Sequence, residues 1–292
     1  MDPLEIARLQ RLMKLTCGRA DVVVGLLDGP VALEHPDLAT SNIRTLGRIR
    51  GTCRDTGSES CRHGTFVAGI LAARRGAWAP AIAPDCTLVV RPVVLEVGTG
   101  GEQPSATPRE LAEAIVDCVD VGARVLNLSA ALAGRSFGAD RELGEALGYT
   151  ARRGVLVVAA AGNQGAVGGS AITGHPWVIP VVACDGVGWP LEESNLGRSI
   201  GSRGLGAPGQ GVVSLASEGG RAVSSGTSVA APFVTGAAAL LWSVFPDAAA
   251  VDVKRALLSS PVGRRVTVVP PLLDAWGAYE LLSGSRTRRA VP

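Results

Sequence analysis

The chain has 292 residues and a formal net charge of only +2, a length that suits one large α/β domain or two small ones. Apolar residues make up 47% of it and aromatic residues 4%, which favours close packing of helices on a sheet over an aromatic binding surface. No stretch clusters enough arginine to follow a phosphate backbone, and the apolar runs are too short to span a bilayer. We therefore expect no nucleic-acid partner and no membrane partner. Since the cysteines and histidines lack metal-ligand spacing, we also expect no metal, and we expect no cofactor.

The N-terminal segment lacks the uninterrupted apolar core of a signal peptide. Asp2-Pro3 makes a sound helix start, and residues 4–15 carry an apolar face. We predict a helical extension over 1–20 and a cytoplasmic protein. Because only about 20 residues precede the first strand, we also expect activity without the removal of a large propeptide.

Apolar strands alternate with helices along the rest of the chain. Strands are predicted at 21–27, 87–93, 123–129, 155–162, 177–184 and 211–216, and helices at 63–74, 108–122, 136–154, 228–245, 252–260 and 272–282. Nearly continuous apolar strands indicate a mostly parallel sheet covered by helices on both faces. We predict one doubly wound α/β domain over 21–285, followed by a flexible basic tail at 286–292.

Two polar side chains follow predicted strands. Asp28 ends the apolar run VVVGLL, where a carboxylate is costly unless something pairs with it. Asn163 follows the strand VLVVAAAG, and an Asn there could also merely satisfy a turn. Since chemistry in such sheets gathers at the C-terminal strand ends, both are candidate site residues.

A partner for Asp28 has to be found among three histidines. His35 and His175 precede proline in loops, which is typical of structural residues, whereas His63 opens the helical stretch HGTFVAGI. Ser228 starts another helix, SVAAPFVTGAAALL, in which Pro232 lacks the N–H that would bond the Ser228 carbonyl. Taken singly, HGT and GTS are also compatible with ordinary helix caps.

The order Asp28, His63, Ser228 is that of subtilisin. With the stretches VVVGLLDGPVALEHPDL, HGTFVAGILAA, ARVLNLSAA, VVAAAGNQG, GAPGQGV and SSGTSVAAPFVTGAAALL, residues 20–245 resemble a subtilisin-like serine protease. The resemblance implies a subtilisin-like fold, an Asp28–His63–Ser228 triad and an oxyanion hole that includes Asn163. It also implies a set of substrate-binding residues, namely Gly98, Gly100, Gly101, Ser129, Ala130, Ala131 and Gly162.

Several positions depart from the family's usual pattern. Gly29 follows the aspartate where most relatives carry Ser or Thr, and Phe66 replaces the second histidine of HGTH. Ala131 replaces a glycine on the wall of the first specificity pocket, which should narrow that pocket. The calcium-binding loop common after the histidine helix is not recognisable.

The LLDGPV sequence after KLTCGRADVVV looks most like the proteases that mature cyanobactin (patellamide-like) peptides. This second resemblance implies that the enzyme removes the leader from a ribosomally made precursor peptide. The alternatives are a macrocyclase on the same fold and a non-catalytic peptide-binding protein. Only 34 residues separate Asp28 from His63, too few for the helical cap of the related macrocyclases, so we expect linear products.

Six cysteines are scattered along the chain without metal-ligand spacing. Cys86, Cys118 and Cys184 fall in apolar segments and are predicted as buried thiols. Cys53 and Cys61 flank a polar loop and could be bridged. For a reducing compartment we expect free thiols there as well.

Overall fold

The computed structural model describes residues 1–39, 42–47, 52–94, 106–129, 137–259 and 268–289. Seven strands form one sheet in the order β2-β3-β1-β4-β5-β6-β7, and neighbouring strands pair in parallel. Its strands are β1 Val23–Leu27, β2 Ile43–Thr45, β3 Thr87–Val90, β4 Val125–Leu128, β5 Leu156–Ala160, β6 Val178–Cys184 and β7 Leu205–Pro208. The predicted α/β fold class is confirmed.

The described helices are α1 Pro3–Ile6, α2 Gln10–Leu15, α3 Glu59–Ala72, α4 Pro108–Asp120, α5 Phe137–Arg153, α6 Ala171–Gly174, α7 Arg198–Arg203, α8 Thr227–Val244, α9 Ala250–Leu258 and α10 Ala275–Arg289. Two further strands, β8 Val212–Leu215 and β9 Arg221–Ser224, form a separate antiparallel hairpin. The predicted strand at 211–216 is therefore β8, which lies outside the parallel sheet.

Side chains of β1 alternate between two cores. Leu26 packs in one core with residues of α3 and α8, while Leu27 packs in a second core with residues of α4 and α5. This alternation is what a strand buried on both faces requires, because successive side chains point to opposite sides of a sheet. Asp28 directly follows β1, and His63 and Ser228 lie on α3 and α8, the two helices that pack in the first core.

Helix α8 runs along one face of the sheet. By length and composition it could cross a membrane, but it is mostly buried inside the protein, and Phe233 and Trp242 are fully enclosed. A helix that is apolar all round suits the core of a large domain. Its position directs its first turn to the end of the sheet where Asp28 lies.

The N-terminal extension forms two short helices, where the sequence pattern predicts one over 4–15. The helical conformation is interrupted at Arg8, whose φ is +50°. The guanidinium of Arg8 pairs with Asp274. Asp2 caps α1 as expected, with its side chain accepting the Leu4 N–H. The Arg75 guanidinium donates to the carbonyls of Met13 and Thr16, which fastens the end of α2 to the segment after α3.

The last helix is longer than the pattern at 272–282 predicts. It begins at Ala275 and continues to Arg289, so the backbone of residues 286–289, which were assigned to the tail, is helical. Short elements such as β7, β9, α6 and α7 were not predicted. Each has only four to six residues, which leaves little room for a hydrophobic period.

Candidate active site

Asp28 lies directly after β1 and is 98% buried. Its Oδ1 accepts a hydrogen bond from His63 Nδ1 at 2.7 Å and another from the Gly29 N–H at 2.6 Å. The two hydrogen bonds at Oδ1 therefore offset part of the cost of burying this carboxylate, while Oδ2 is buried without a hydrogen-bond partner among the described residues.

Close backbone contact brings His63 to Asp28. A Cβ on Gly29 would overlap the Ser60 carbonyl of α3, and a Cβ on Gly64 would overlap the carbonyls of Gly29 and Pro30. Glycine at both positions lets α3 lie against the turn that follows β1. The departure from the Ser or Thr usual in the family has a steric reason at Gly29, since the helix occupies the space of a side chain.

Helix α3 starts four residues earlier than the sequence pattern predicts. The predicted boundary at 63 was wrong because Ser58 acts as the N-cap, its Oγ accepting the Cys61 N–H at 3.2 Å. His63 is thus in the second turn, and a third of its side chain is exposed. The polar stretch before it had been interpreted as a loop.

His63 links the carboxylate to the serine. Its Nε2 lies 2.8 Å from Ser228 Oγ. Because Nδ1 faces a carboxylate that can only accept, the neutral ring carries its proton on Nδ1, and Nε2 is free to accept from the Ser228 hydroxyl. Burial lowers the pKa of His63, but the charge and hydrogen bond of Asp28, with a smaller effect of Glu59, outweigh it and raise the pKa above its usual value.

Ser228 occupies the second position of α8. Gly226 is the N-cap of the helix with a φ of +129°, a conformation that side chains rarely adopt, and it has no side chain that could accept from the first turn. In the described part of the chain, no group accepts the Ser228 N–H. This donor therefore points out of the helix with the positive end of the dipole, as an oxyanion hole requires.

Asn163 is fixed beside Ser228 by Thr227. The Thr227 N–H and Oγ1 each lie 2.9 Å from Asn163 Oδ1, and since a backbone N–H only donates, the amide oxygen is assigned to that side. The amide Nδ2 lies against Gly226, where a Cβ would come within 2.9 Å of it. Thr227 has no role that its sequence pattern predicts. Its place directly before the candidate nucleophile was the one available signal.

Gly162, predicted to bind substrate, supports this arrangement. Its φ is +103°, its N–H donates to Thr227 Oγ1 at 3.1 Å, and its carbonyl accepts the Asn195 N–H at 2.8 Å. The loop that carries Asn163 is thus tied both to α8 and to the segment at Asn195. Ser129 follows β4 and reaches the Ser228 carbonyl with its Oγ.

The remaining predicted substrate-binding residues lie outside the described residues. They are Gly98, Gly100, Gly101, Ala130 and Ala131. The two other histidines stay away from the cluster. Nδ1 of His35 accepts the Asp37 N–H, and Nδ1 of His175 accepts the Trp177 N–H.

Cys53 and Cys61 form a disulfide with their Cα atoms 5.6 Å apart. The prediction of free thiols there was wrong, because the turn before α3 brings the two residues together. Cys86, Cys118 and Cys184 are buried thiols as predicted, and burial raises the pKa of Cys118 and Cys184 to about 12.

The described residues contain no group of three or more His, Cys, Asp or Glu side chains that could hold a metal ion. The chemistry that the site offers comes from a carboxylate, an imidazole, a hydroxyl and a set of N–H donors. The carboxylate, the imidazole and the hydroxyl are hydrogen-bonded in the order that nucleophilic acyl transfer requires.

A family model described as Subtilase family matches residues 19–271. The chain belongs to this family. Subtilisin DY of Bacillus licheniformis is 31% identical over 246 residues, which are 82% of this chain and 84% of that protein. A subtilisin of Bacillus sp. (strain TA39) is 29% identical over 266 residues, or 82% of this chain, which spans 60% of that relative's length.

Among solved structures, this subtilase resembles two maturation proteases. A mutant of the protease domain of PatA aligns with a TM-score of 0.81 at 31% identity, covering 92% of this chain and 97% of that chain. The prenylagaramide maturation protease PagA aligns with a TM-score of 0.82 at 30% identity, covering 94% and 98%. The resemblance to the cyanobactin proteases, stated above on the DGPV segment, thus extends over nearly the whole chain.

Proposed function

We propose that this subtilase is a serine endopeptidase in which Ser228 is the nucleophile, His63 the general base and acid, and Asp28 the residue that orients His63. The observation that carries the proposal is the continuous hydrogen-bond line from Asp28 through His63 to Ser228, at 2.7 and 2.8 Å. Nucleophile and base within hydrogen-bond reach, with the base held by a third group, is the arrangement that activates a serine.

The chemistry proceeds in two halves. Ser228 Oγ attacks the peptide carbonyl carbon while His63 Nε2 takes its proton, and His63 then gives that proton to the leaving amine. Water repeats the sequence on the acyl-enzyme and releases the acid. In both halves Asp28 stabilises the imidazolium, while Asn163 Nδ2 and the Ser228 N–H donate to the oxyanion.

We further propose that the substrate is a ribosomally made precursor peptide from which the enzyme removes the leader. Support comes from the likeness of 92% of this chain to the protease domain of PatA and of 94% of it to PagA, a prenylagaramide maturation protease.

Hydrolysis is favoured over cyclisation by the segment between Asp28 and His63. Its described parts, 29–39, 42–47 and 52–62, contain the short strand β2 and the start of α3, but no helix inserted between them. Water therefore reaches the acyl-enzyme without a helical cap from these residues. The non-catalytic alternative is disfavoured because Asp28, His63 and Ser228 are hydrogen-bonded in the arrangement that activates a serine.

The test is incubation of the purified protein with a precursor peptide encoded near its gene, followed by mass spectrometry. We expect two linear fragments whose masses sum to the precursor plus one water. The Ser228→Ala variant should give none and should still bind the peptide. A cyclic product that is one water lighter than the corresponding linear fragment would establish the macrocyclase. Binding without any cleavage by the wild type would establish the peptide-binding protein.

A further inference from the structure

Helix α8 lacks one of its own hydrogen bonds at the candidate nucleophile. In a regular helix the carbonyl of Ser228 would accept the N–H of residue 232, but that residue is Pro232 and has no N–H. A proline inside a helix usually kinks or loosens the preceding turn, because the carbonyl four residues earlier loses its N–H partner. At this position, looseness would move the Ser228 backbone and its Oγ.

The side chain of Ser129 fills this gap from the sheet. Its Oγ donates to the Ser228 carbonyl at 3.3 Å, and Asn127 Nδ2 donates to the same Oγ at 2.8 Å. A serine hydroxyl has one proton, so the bond from Asn127 directs that proton to Ser228. Ser129 is itself held, because its N–H donates to the Leu27 carbonyl, next to Asp28.

The hydrogen bonds of Asn127 also connect Ser129 to a second residue of α8. Thr235 Oγ1 donates to Asn127 Oδ1 at 2.8 Å, and both Asn127 and Thr235 are fully buried. A buried amide is costly unless its donors and acceptors are used, and here both ends of the Asn127 side chain have partners. The line therefore connects two points of the same helix, Ser228 and Thr235, across β4.

We propose that Ser129, Asn127 and Thr235, the Ser129 bridge, replace the helical bond that Pro232 removes and so position the nucleophile. The inference rests on the proposed role of Ser228. Ser129 remains a predicted substrate-binding residue through its backbone, whereas the bridge is made by the three side chains, which bond one another and the Ser228 carbonyl. They hold the Ser228 backbone so that Oγ stays within reach of His63 and the Ser228 N–H stays turned to the oxyanion.

Labelling of Ser228 by a fluorophosphonate tests the bridge without involving peptide binding. We expect Ser129→Ala to slow labelling by about two- to fivefold, the lower half of what one hydrogen bond contributes, since 3.3 Å is long for a hydroxyl donor. Peptide hydrolysis should show the same loss in kcat with KM unchanged. The pH dependence should stay the same, because Asp28 and His63 are untouched.

Pro232→Ala provides the deciding background. It returns an N–H to the helix, so in that background Ser129→Ala should slow labelling much less than in the parent. Thr235→Val should slow labelling of the parent in the same direction, and Thr235→Ser should restore it. Ser243→Ala is the matched control, because Ser243 is also buried in α8 but donates to Ala239, far from Ser228.

The labelling experiments distinguish failure of the bridge from failure of the proposed function. An equal loss in both backgrounds, or no loss in either, would overturn the bridge while leaving the serine mechanism intact. A loss that Ser243→Ala reproduces would assign the effect to the stability of α8 and overturn the bridge too. Wild-type protein that is folded yet unlabelled at Ser228 would refute the proposed function itself.

Discussion

The N-terminal parts of α3 and α8 meet at the site, where His63 contacts Ser228, and their first turns are built in opposite ways. Helix α3 is capped by Ser58, carries Glu59 in its first turn and is tied down by the Cys53–Cys61 disulfide. Helix α8 has Gly226 as its N-cap, which offers no side chain, and it has no acidic residue in its first turn.

The difference matches what each helix has to do. Helix α3 has to hold an imidazole steady against Asp28, and a satisfied, negatively charged first turn serves that task. In the proposed mechanism, helix α8 has to present the Ser228 hydroxyl as nucleophile and leave the Ser228 N–H free for the developing negative charge, so a cap would compete with the substrate. The support that α8 lacks in its own turn comes from outside, through Asn163 and Ser129.

The largest effect should come from breaking the contact between the two helices. Single variants His63→Ala and Ser228→Ala should each lower kcat by about six orders of magnitude, a value that comes from a subtilisin. Because the two residues act as one unit, the double variant should be no slower than the single ones. Steady-state peptide hydrolysis measures this, and multiplicative losses would contradict a shared hydrogen-bond line.

The oxyanion side of α8 should give the next largest effect. Asn163→Ala should lower kcat by about 10²- to 10³-fold, again a subtilisin value, with KM nearly unchanged, because its bond strengthens in the transition state. Thr227→Val, which removes one of the two anchors of Asn163 and keeps the backbone one, should cost about tenfold or less. A rise in KM at constant kcat for Asn163→Ala would place it in substrate binding instead.

The disulfide before α3 should affect stability more than catalysis. Replacing both Cys53 and Cys61 by alanine should lower the free energy of unfolding by about 2–3 kcal/mol, measured by urea denaturation. Cys17→Ala, at a free and partly exposed cysteine, is the control. Alkylation of unreduced, denatured protein should modify four of the six cysteines, and six modified cysteines would show that the bridge is absent.

The smallest effect should follow from the charge in the first turn of α3. Glu59 raises the pKa of His63, so Glu59→Gln should lower that pKa. His63 has to be neutral to act as base, and kcat/KM therefore rises as pH rises through its pKa. The acid limb should move to lower pH in Glu59→Gln and stay in place in Glu113→Gln, a surface control on α4. A shift to higher pH would contradict the assigned electrostatics.

Sequence patterns were sufficient for the parallel sheet and for the triad candidates, because both leave repeated signals. Asp28 follows an apolar run, and His63 and Ser228 stand in long motifs of small residues. The start of α3 was missed because Ser58 and Glu59 lie in a polar stretch that resembles a loop until the cap geometry is known. Local propensity does not distinguish the two.

The supporting residues could not be predicted for a different reason. Asn127 and Thr235 are single polar residues in apolar segments, 108 positions apart in sequence, and only the packing of α8 on β4 brings them together. The same holds for Thr227 with Asn163. Likewise, the disulfide depended on how the chain turns before α3, which composition does not encode.

The central claim is that Ser228 is activated by His63, and fluorophosphonate labelling followed by peptide mapping tests it most directly. Wild-type protein should be labelled on Ser228 alone, at a rate that rises with pH through the pKa of His63. His63→Ala should be labelled far more slowly and lose that pH dependence. Labelling at another residue, or equal rates in the two proteins, would contradict the account.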